Sequence, residues 1–325
     1  APLLSRLSSA ASRLLQIRKY GSRKEDGGGL RKGRSSSASR PGFIDPSSWK
    51  HFDSRTVGIP VGAIPRNCMA VLQMLKRKGF EAYLVGGCVR DLLLKRAPKD
   101  FDVITTASLK EIKKHVFPRC FIVGKRFPIC LVRWRGSLFE QVSSFKTNTT
   151  QVKGNENVNC SEETDGHDEV DILRWKDSLR RDFTVNSLFF NPFNHRVYDY
   201  VNGVKDLRKN KVCTVIPAHV SFKEDPARIL RGLRVAARLG FQFSSETSTA
   251  IRDLSPSIIN IDKTRLAMEM KYMLSYGAAE SSIRLLRKYG LLDILLPFQA
   301  ACLSDQLKGK SSDSGLMLMV SNYEM

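Results

Sequence analysis

The sequence lacks several features that would place it in a common class. No run of about 18 apolar residues occurs, so no transmembrane helix is predicted. Neither a Walker loop nor a G-x-G-x-x-G fingerprint is present, which disfavours P-loop and dinucleotide-binding folds. The seven cysteines are odd in number and include no C-x-x-C pair or Cys/His cluster. This pattern argues against a zinc site and a disulfide framework, and it favours a reducing compartment.

Acidic residues are scarce relative to basic ones. The 325 residues contain 53 Lys and Arg against 32 Asp and Glu, which gives a formal net charge of +21. An excess of this size indicates a polyanionic partner, and nucleic acid and an anionic membrane surface both fit it. The plainer interpretation is a solvated basic surface with a targeting tail. A hydrophobic content of 42% is enough for a core.

The N-terminal segment differs in composition from the rest. Residues 1–24 contain six Arg and Lys, no acid, and many Ser and Ala. This composition is typical of a transit peptide and predicts a location in a mitochondrion or plastid; an unstructured basic tail is the alternative. A Gly- and Ser-rich stretch follows and reads as a flexible linker. We therefore expect residues 1–55 to be a disordered targeting and linker segment.

The remaining chain predicts an α+β protein in two parts. Residues 56–215 mix strand and helix patterns, which indicates a head domain with a mixed sheet and helices. A polar, acidic stretch at 147–171 predicts a mobile loop inside it. Residues 216–325 are periodic like helices up to about residue 296, which predicts an all-helical neck and partial body that ends early.

Local patterns give the individual elements. Helices are predicted over 65–79, 88–94, 108–116 and 177–190, and strands over 81–85, 100–105, 120–145 and 196–201. Within the helical part, breaks are expected near Gly240, Ser255, Gly277 and Gly290.

Two carboxylates one residue apart stand out in the stretch PKDFDVIT. Strand side chains alternate, so Asp100 and Asp102 are expected on one face, with Phe101 and Val103 in the core. Two ionised carboxylates this close repel each other, and a divalent cation such as Mg²⁺ removes the conflict. Two such ions can hold both oxygens of a phosphoryl displacement. Two solvated acids at a sheet edge are the alternative.

The stretch YLVGGCVRD strengthens the metal hypothesis. A strand is followed by Gly86 and Gly87 and then by a helix, and glycine lets a phosphate approach the backbone closely. Arg90, one turn into that helix, has the donor geometry to grip a phosphate. Together with the two aspartates, this unit predicts a nucleotide-phosphate and metal site.

Four stretches resemble one known family. GGCVRDLLLKRAPKDFDVIT resembles the signature of the class II tRNA nucleotidyltransferase/poly(A) polymerase family, in the polymerase-β-like superfamily. RRDFTVNSLFF, VYDYVNGVKDLRKN and EDPARILRGLRVAARLGF resemble its further motifs, in the same order. The resemblance covers about residues 64–245, and it implies a nucleotidyltransferase head followed by a helical neck.

The resemblance also implies roles for individual residues. Asp100 and Asp102 would ligate Mg²⁺, and Asp182 would be a further catalytic carboxylate. The resemblance also implies a supporting role for Glu140, because the family usually has an acidic residue in the corresponding strand. The implied nucleotide-binding residues are Gly86, Gly87, Arg90, Arg181, Asp225, Arg228, Arg231 and Arg234. The last four recur at a spacing of three, which keeps them on one slowly drifting helical stripe, although an ordinary basic helix face would look the same.

The implied activity is addition of nucleotides to an RNA 3′ end. FPRCFIVGKRFPICLV and DSLRRDFT resemble bacterial-type poly(A) polymerases more than CCA-adding enzymes, which favours AMP addition from ATP. CCA addition to tRNA, with CTP as well as ATP, is the alternative. A non-catalytic RNA-binding module, from a truncated form, is the hypothesis of another class. No membrane partner is expected.

Overall fold

A computed structural model describes residues 49–124, 128–133, 140–149, 168–275 and 278–307. Its centre is an eight-stranded sheet of order β1-β8-β7-β2-β3-β6-β5-β4. The pairing is antiparallel except between β3 and β6, which run parallel. The strands are β1 (Lys50–Asp53), β2 (Ala82–Val85), β3 (Asp102–Thr105), β4 (Phe121–Val123), β5 (Ile129–Val132), β6 (Glu140–Ser144), β7 (Phe189–Asn191) and β8 (Arg196–Asp199).

Strand β1 corrects the predicted disordered segment at its C-terminal end. Residues Lys50–Asp53 pair with β8 in the register Lys50↔Asp199 and form one edge of the sheet. The expectation that residues 1–55 lie outside the fold is therefore wrong for this strand, because a four-residue edge strand is too short to show a periodic pattern. Residues 1–48 lie outside the described residues.

Helices of the α/β part pack on one face of the sheet. They are α1 (Arg66–Arg77), α2 (Gly87–Leu93) and α3 (Leu109–Glu111), and α3 continues as a π-helix, Ile112–Val116. Helix α1 matches its prediction and buries Cys68, Val71, Leu72 and Leu75. These side chains belong to the main hydrophobic core, which also contains Val103 of strand β3.

The opposite face of the sheet holds an aromatic cluster. Tyr83, Phe189 and Tyr198 lie there, covered by helices α4 (Phe145–Thr149) and α5 (Glu169–Arg180). Arg174 of α5 is fully buried among them; it donates to the Tyr200 hydroxyl at 2.7 Å, and its guanidinium lies 4.1 Å from the Tyr198 ring centroid. This contact fixes α5, whose C-terminal end leads into the candidate site.

The predicted mobile loop and the predicted helix over 177–190 both need correction. Helix α4 reaches residue 149 and α5 begins at residue 169, so helix occupies both ends of 147–171; residues 150–167 lie outside the described part. Helix α5 ends at Arg180, because Phe183 forms a bridge to Thr214 and the Thr184 N–H donates to the Cys213 carbonyl. A 3₁₀ turn (Thr184–Asn186) and strand β7 follow.

One cysteine pair was not foreseen. Cys120 and Cys130 are joined as a disulfide beside the paired strands β4 and β5, with their Cα atoms 6.2 Å apart. Sequence alone could not pair them, because ten residues separate them and only the β4–β5 register brings them together. Cys68 and Cys88 are free and buried, and each behaves as a small core residue.

Helix α6 (Gly203–Arg208) and the two-residue strand β9 (Lys211–Val212) complete the predicted head. The described residues from 216 onward are helical, as predicted, and helix continues to Leu307 instead of stopping near residue 296. The elements are α7 (Ala218–Glu224), α8 (Ala227–Leu239), α9 (Ser245–Leu254), α10 (Lys263–Leu274), α11 (Ala279–Lys288), α12 (Leu292–Leu295) and α13 (Pro297–Leu307). The exception is the two-residue strand β10 (Gln242–Phe243), which pairs with β9. Helix α8 ends at Gly240, whose φ of 72° suits glycine. None of the described helices is long and apolar enough to span a bilayer.

Helix α8 packs so closely at Gly232 that an added methyl group has no room. A Cβ atom there would lie 2.7 Å from the Cζ atom of Phe183, whose ring is fully buried. We expect Gly232→Ala to lower the unfolding free energy by about 1–3 kcal/mol, measured by urea unfolding, because the ring must shift in a packed core. Gly62→Ala, with nothing within 4 Å, is the control and should change it by less than about 0.5 kcal/mol. Equal effects would contradict the close packing.

Candidate active site

A cavity of about 340 Å³ lies between the sheet and helix α8. Its size is within the range of small-ligand pockets. Six cationic side chains line it, namely Arg90, Lys99, Arg181, Arg231, Arg234 and Arg238. Four carboxylates line it too, namely Asp91, Asp100, Asp102 and Asp182. The excess of cations suits an anionic ligand.

Asp100 and Asp102 lie in this one cavity, as the sequence predicts. Strand β3 begins at Asp102, so Asp100 precedes the strand rather than belonging to it, while Phe101 and Val103 are buried in the core. Burial, together with the nearby charge of Asp100, raises the pKa of Asp102 to about 6, against the opposing charge of Arg181. The two carboxylates therefore repel each other when both are ionised, and a bound cation would relieve this repulsion.

The glycine turn forms the wall next to the two aspartates. Gly86 has φ 79° and ψ −131°, a conformation that favours glycine, and Gly87 begins helix α2. A Cβ atom on Gly86 would lie 3.2 Å from the Nη1 atom of Arg181. The missing Cβ atom leaves room for the Arg181 guanidinium beside the turn, and both glycines line the cavity.

Arg90 is held more firmly than the sequence indicates. Its Nε atom donates to Asp91 at 2.8 Å and its Nη1 atom donates to Asn186 at 2.6 Å. Arg238 of helix α8 donates to the other Asp91 oxygen at 3.2 Å. Asp91 and Asn186 were missed, although both lie inside the quoted motifs. The sequence predicted that the Arg90 guanidinium is free to bind a phosphate. In the structure this guanidinium is buried and fixed at the cavity wall by its protein partners.

Asp182 has both carboxylate oxygens occupied by protein donors. One accepts from the Phe183 N–H at 2.8 Å and from Asn186 at 3.2 Å, and the other accepts from Arg231 at 3.2 Å. Burial alone would raise the pKa of Asp182, but the charge of Arg231 and these hydrogen bonds hold it below its ordinary value. Asp182 is therefore an ionised partner that orients Arg231.

The predicted arginine stripe divides into two groups. Arg231 and Arg234 line the cavity, and both donate to the buried carboxylate of Glu269 on helix α10, at 3.3 and 3.2 Å. Asp225 and Arg228 are not among the residues that line it. Asp225 accepts from Arg265 at 2.9 Å, because it precedes helix α8 and turns toward α10.

Glu269, Arg265 and Tyr272 are functional candidates that sequence reasoning missed. All three lie on α10, and Tyr272 lines the cavity with Lys99 5.6 Å from its ring centroid. The sequence of α10 shows only a helical pattern. The packing of α10 against α8 decides which polar residues of α10 contact α8, and periodicity does not reveal this packing.

Glu140 lies near the aspartates at the start of β6. Burial raises the pKa of its carboxyl, and the charge of Asp102 raises it further. Among the described residues, no group of three or more His, Cys, Asp or Glu is placed to hold a metal ion. The donor set is thus a pair of hard carboxylate oxygens open to the cavity, which fits Mg²⁺ ligated by two carboxylates with the remaining positions filled by substrate and water.

A mixed sheet bearing this cavity, followed by helices, is the fold of a nucleotidyltransferase head with a helical neck. The family described as Poly A polymerase head domain matches residues 82–213, and that described as Probable RNA and SrmB-binding site of polymerase A matches residues 240–303. The chain therefore belongs to the family of poly(A) polymerases and CCA-adding enzymes.

Individual relatives agree with this assignment. The chain is 37% identical over 244 residues to Poly(A) polymerase I of Haemophilus influenzae, covering 74% of this chain and 53% of the relative. It is 32% identical over 229 residues to a CCA-adding enzyme of Geobacillus kaustophilus, covering 70% and 54%. The crystal structure of the Bacillus stearothermophilus CCA-adding enzyme in complex with CTP superposes with a TM-score of 0.56 at 30% identity, covering 70% and 52%. The chain thus spans about half the length of the curated relatives it matches.

Proposed function

We propose that this chain adds AMP from ATP to RNA 3′ ends without a template. The observation that carries the proposal is the cavity itself, which is lined by two paired carboxylates, by a glycine turn and by a surplus of cationic side chains. The likeness to Poly(A) polymerase I and the net charge of +21 support it. The 3′ hydroxyl would attack the α-phosphate of ATP, and pyrophosphate would leave.

Each part of the cavity has a task in this reaction. Asp100 and Asp102 would hold Mg²⁺, which when bound lowers the pKa of the attacking hydroxyl and neutralises phosphate charge. Gly86 and Gly87 let the triphosphate approach the backbone, and Arg181, Arg231 and Arg234 offer it positive charge. Catalysis rests on position and on charges fixed in advance, since Asp182 and Glu269 already hold the arginines.

The contacts of Asp225 and Arg228 refine the roles proposed for them. Arg228 donates to the Ser221 hydroxyl at 2.9 Å, and Asp225 accepts from Arg265. Contact of either side chain with a nucleotide base would require these bonds to open or the base to reach past the described cavity. Their implied nucleotide-binding role therefore rests on the family resemblance.

CCA addition is the second candidate function, because solved CCA-adding enzymes in complex with CTP and ATP share the fold. An RNA lacking its CCA end, incubated with Mg²⁺ and each nucleotide separately, distinguishes the two. We expect long tails with ATP and little product with CTP. Addition that stops after CCA would overturn the poly(A) proposal. An absence of any incorporation, with RNA binding intact, would favour the non-catalytic RNA-binding alternative.

We also propose that the N-terminal segment, residues 1–24, directs the protein to a mitochondrion or plastid. The acid-free, Ser- and Ala-rich composition of residues 1–24 supports this. A fluorescent fusion to these residues tests it, and diffuse fluorescence would contradict it.

A further inference from the structure

We propose that the solvent face of helix α6 binds the phosphate backbone of the RNA strand upstream of its 3′ end. The cations of this face are Lys205, Arg208 and Lys209. The inference rests on the proposed function and adds a phosphate site outside the cavity. It comes from the position of α6 behind the cavity wall, from the exposure of the three cations and from the bonds of the nearby carboxylates.

Helix α6 packs directly behind one wall of the cavity. A Cβ atom on Gly203, the first residue of α6, would clash with the Thr184 carbonyl oxygen, so the two backbones touch with no room for a side chain. Asn186, two residues beyond Thr184, lines the cavity, which places this contact within about 7 Å of the cavity wall. The helix itself is about 9 Å long. A strand whose 3′ end lies in the cavity therefore reaches α6 with a short upstream segment.

Three cations share the solvent face of α6. Lys205, Arg208 and Lys209 are exposed, and spacings of three and four residues place them on one side of the helix. The opposite side carries Val204 and Leu207, which are buried in the main hydrophobic core. The packing of α6 thus fixes which side its cations present to solvent.

The carboxylates next to this face are bonded elsewhere. Asp199 is buried and accepts from the backbone N–H groups of Gly203 and Val204 at 2.8 and 2.9 Å. Asp206 accepts from the Thr184 hydroxyl at 2.7 Å. Within the part of the chain that the structure describes, none of the three cations forms an ion pair with a carboxylate. Their charge is therefore available to an anionic partner.

The chemistry of the face favours RNA as this partner. Cations that follow one another along a helix can contact successive phosphates of one strand, and such contacts position the strand without reading its sequence. Helix α6 is fully described, and it exposes no large hydrophobic side chain. A helix that lies on a membrane surface needs such side chains to enter the lipid.

The test is fluorescence anisotropy of the full chain with a labelled single-stranded oligoadenylate, without ATP, over a series of salt concentrations. We expect the triple variant Lys205→Gln, Arg208→Gln, Lys209→Gln to weaken RNA binding about tenfold at low salt. The slope of the logarithm of the binding constant against the logarithm of the salt concentration should become shallower by about 2, since each lost phosphate contact removes about 0.7. In the incorporation assay the KM for RNA should rise by a similar factor, with the KM for ATP unchanged.

The matched control is the triple variant Lys110→Gln, Lys113→Gln, Lys114→Gln. It removes the same charge from exposed side chains on α3 and its π-helical continuation, which follow the end of β3 that lies away from Asp102. Its salt slope should equal that of the wild type. Equal slopes of the two triple variants would show that net charge alone matters, and would overturn the α6 site.

Two further measurements separate the remaining outcomes. The double variant Lys205→Arg, Lys209→Arg keeps the charge and should bind RNA like the wild type. Loss of binding to anionic phospholipid vesicles by the α6 triple variant, with RNA binding unchanged, would overturn the proposal in favour of a membrane partner. Because the anisotropy assay needs no catalysis, a wild type that binds RNA through α6 but incorporates no nucleotide would reject the proposed function and leave the RNA site standing.

Discussion

Asp102→Asn is expected to abolish nucleotide incorporation while raising the thermal stability of the protein at neutral pH. The loss of activity should exceed about a thousandfold, because the variant removes one of the two carboxylates available to hold Mg²⁺. The rest of the cavity should keep its structure. The measurement is incorporation of labelled AMP into RNA at saturating ATP.

The stability gain follows from the pKa of Asp102. Its folded-state pKa of about 6 lies above the ordinary value of 3.8. Between these values the folded state binds the proton and the unfolded state does not, so stability falls as the pH rises toward 6. Above pH 6 the whole cost is present, and the shift corresponds to about 2–3 kcal/mol. Asparagine removes this cost.

Thermal melts in EDTA at pH 7.5 and pH 5 check this reasoning. The variant should melt higher than the wild type at pH 7.5, and the difference should shrink at pH 5, where Asp102 is largely protonated. Asp253→Asn is the control, because Asp253 is exposed and pairs with His219 at the surface. A variant that melts lower than the wild type at pH 7.5 would show that Asp102 is a structural residue.

Glu269→Gln is expected to raise the KM for ATP at least about tenfold and to lower the unfolding free energy by about 2 kcal/mol. The Glu269 carboxylate is buried and is shared by Arg231 and Arg234, so the variant takes the counter-charge from two cavity arginines. The stability effect is below the usual range for a broken buried ion pair, since these arginines are 33% and 27% exposed.

Steady-state kinetics and urea unfolding measure the two effects separately. Glu280→Gln is the matched control: Glu280 pairs with Arg284 at 2.7 Å on the solvent side of helix α11, and such exposed pairs contribute less than about 1 kcal/mol. If Glu269→Gln lowers stability without changing the KM for ATP, then Glu269 supports the fold and does not position the arginines.

The sequence predicted the parts of the site that lie within single motifs. The Asp100–Asp102 pair and the glycine turn meet in one cavity, as their residue types and close spacing predict, and Arg181 and Arg231, which the family resemblance implies, line the same cavity. The roles of these residues stay predictions. The α+β fold class was also predicted correctly, because the sequence changes from mixed strand and helix patterns to a purely helical pattern.

Contacts between distant elements could not be predicted. Glu269 reaches Arg231 across 38 positions, and Asp91 reaches Arg238 across 147. These pairs depend on the angle and offset at which helices pack, which periodicity does not encode. The short strand β1 and the end of helix α5 at Arg180 were missed for a related reason, since strand partners elsewhere in the chain decide them.

Strand β1 also limits how much of the N-terminal segment a protease could remove without damage to the fold. Trp49 packs edge-on against Tyr200, with ring centroids 5.2 Å apart, and the next four residues complete the sheet. A processing peptidase that cut after Asp53 would strip away an edge strand and uncover the aromatic cluster that anchors helix α5. If the proposed targeting segment is removed in cells, we expect the cut upstream of Trp49, and mass spectrometry of the isolated protein should place the N-terminus there.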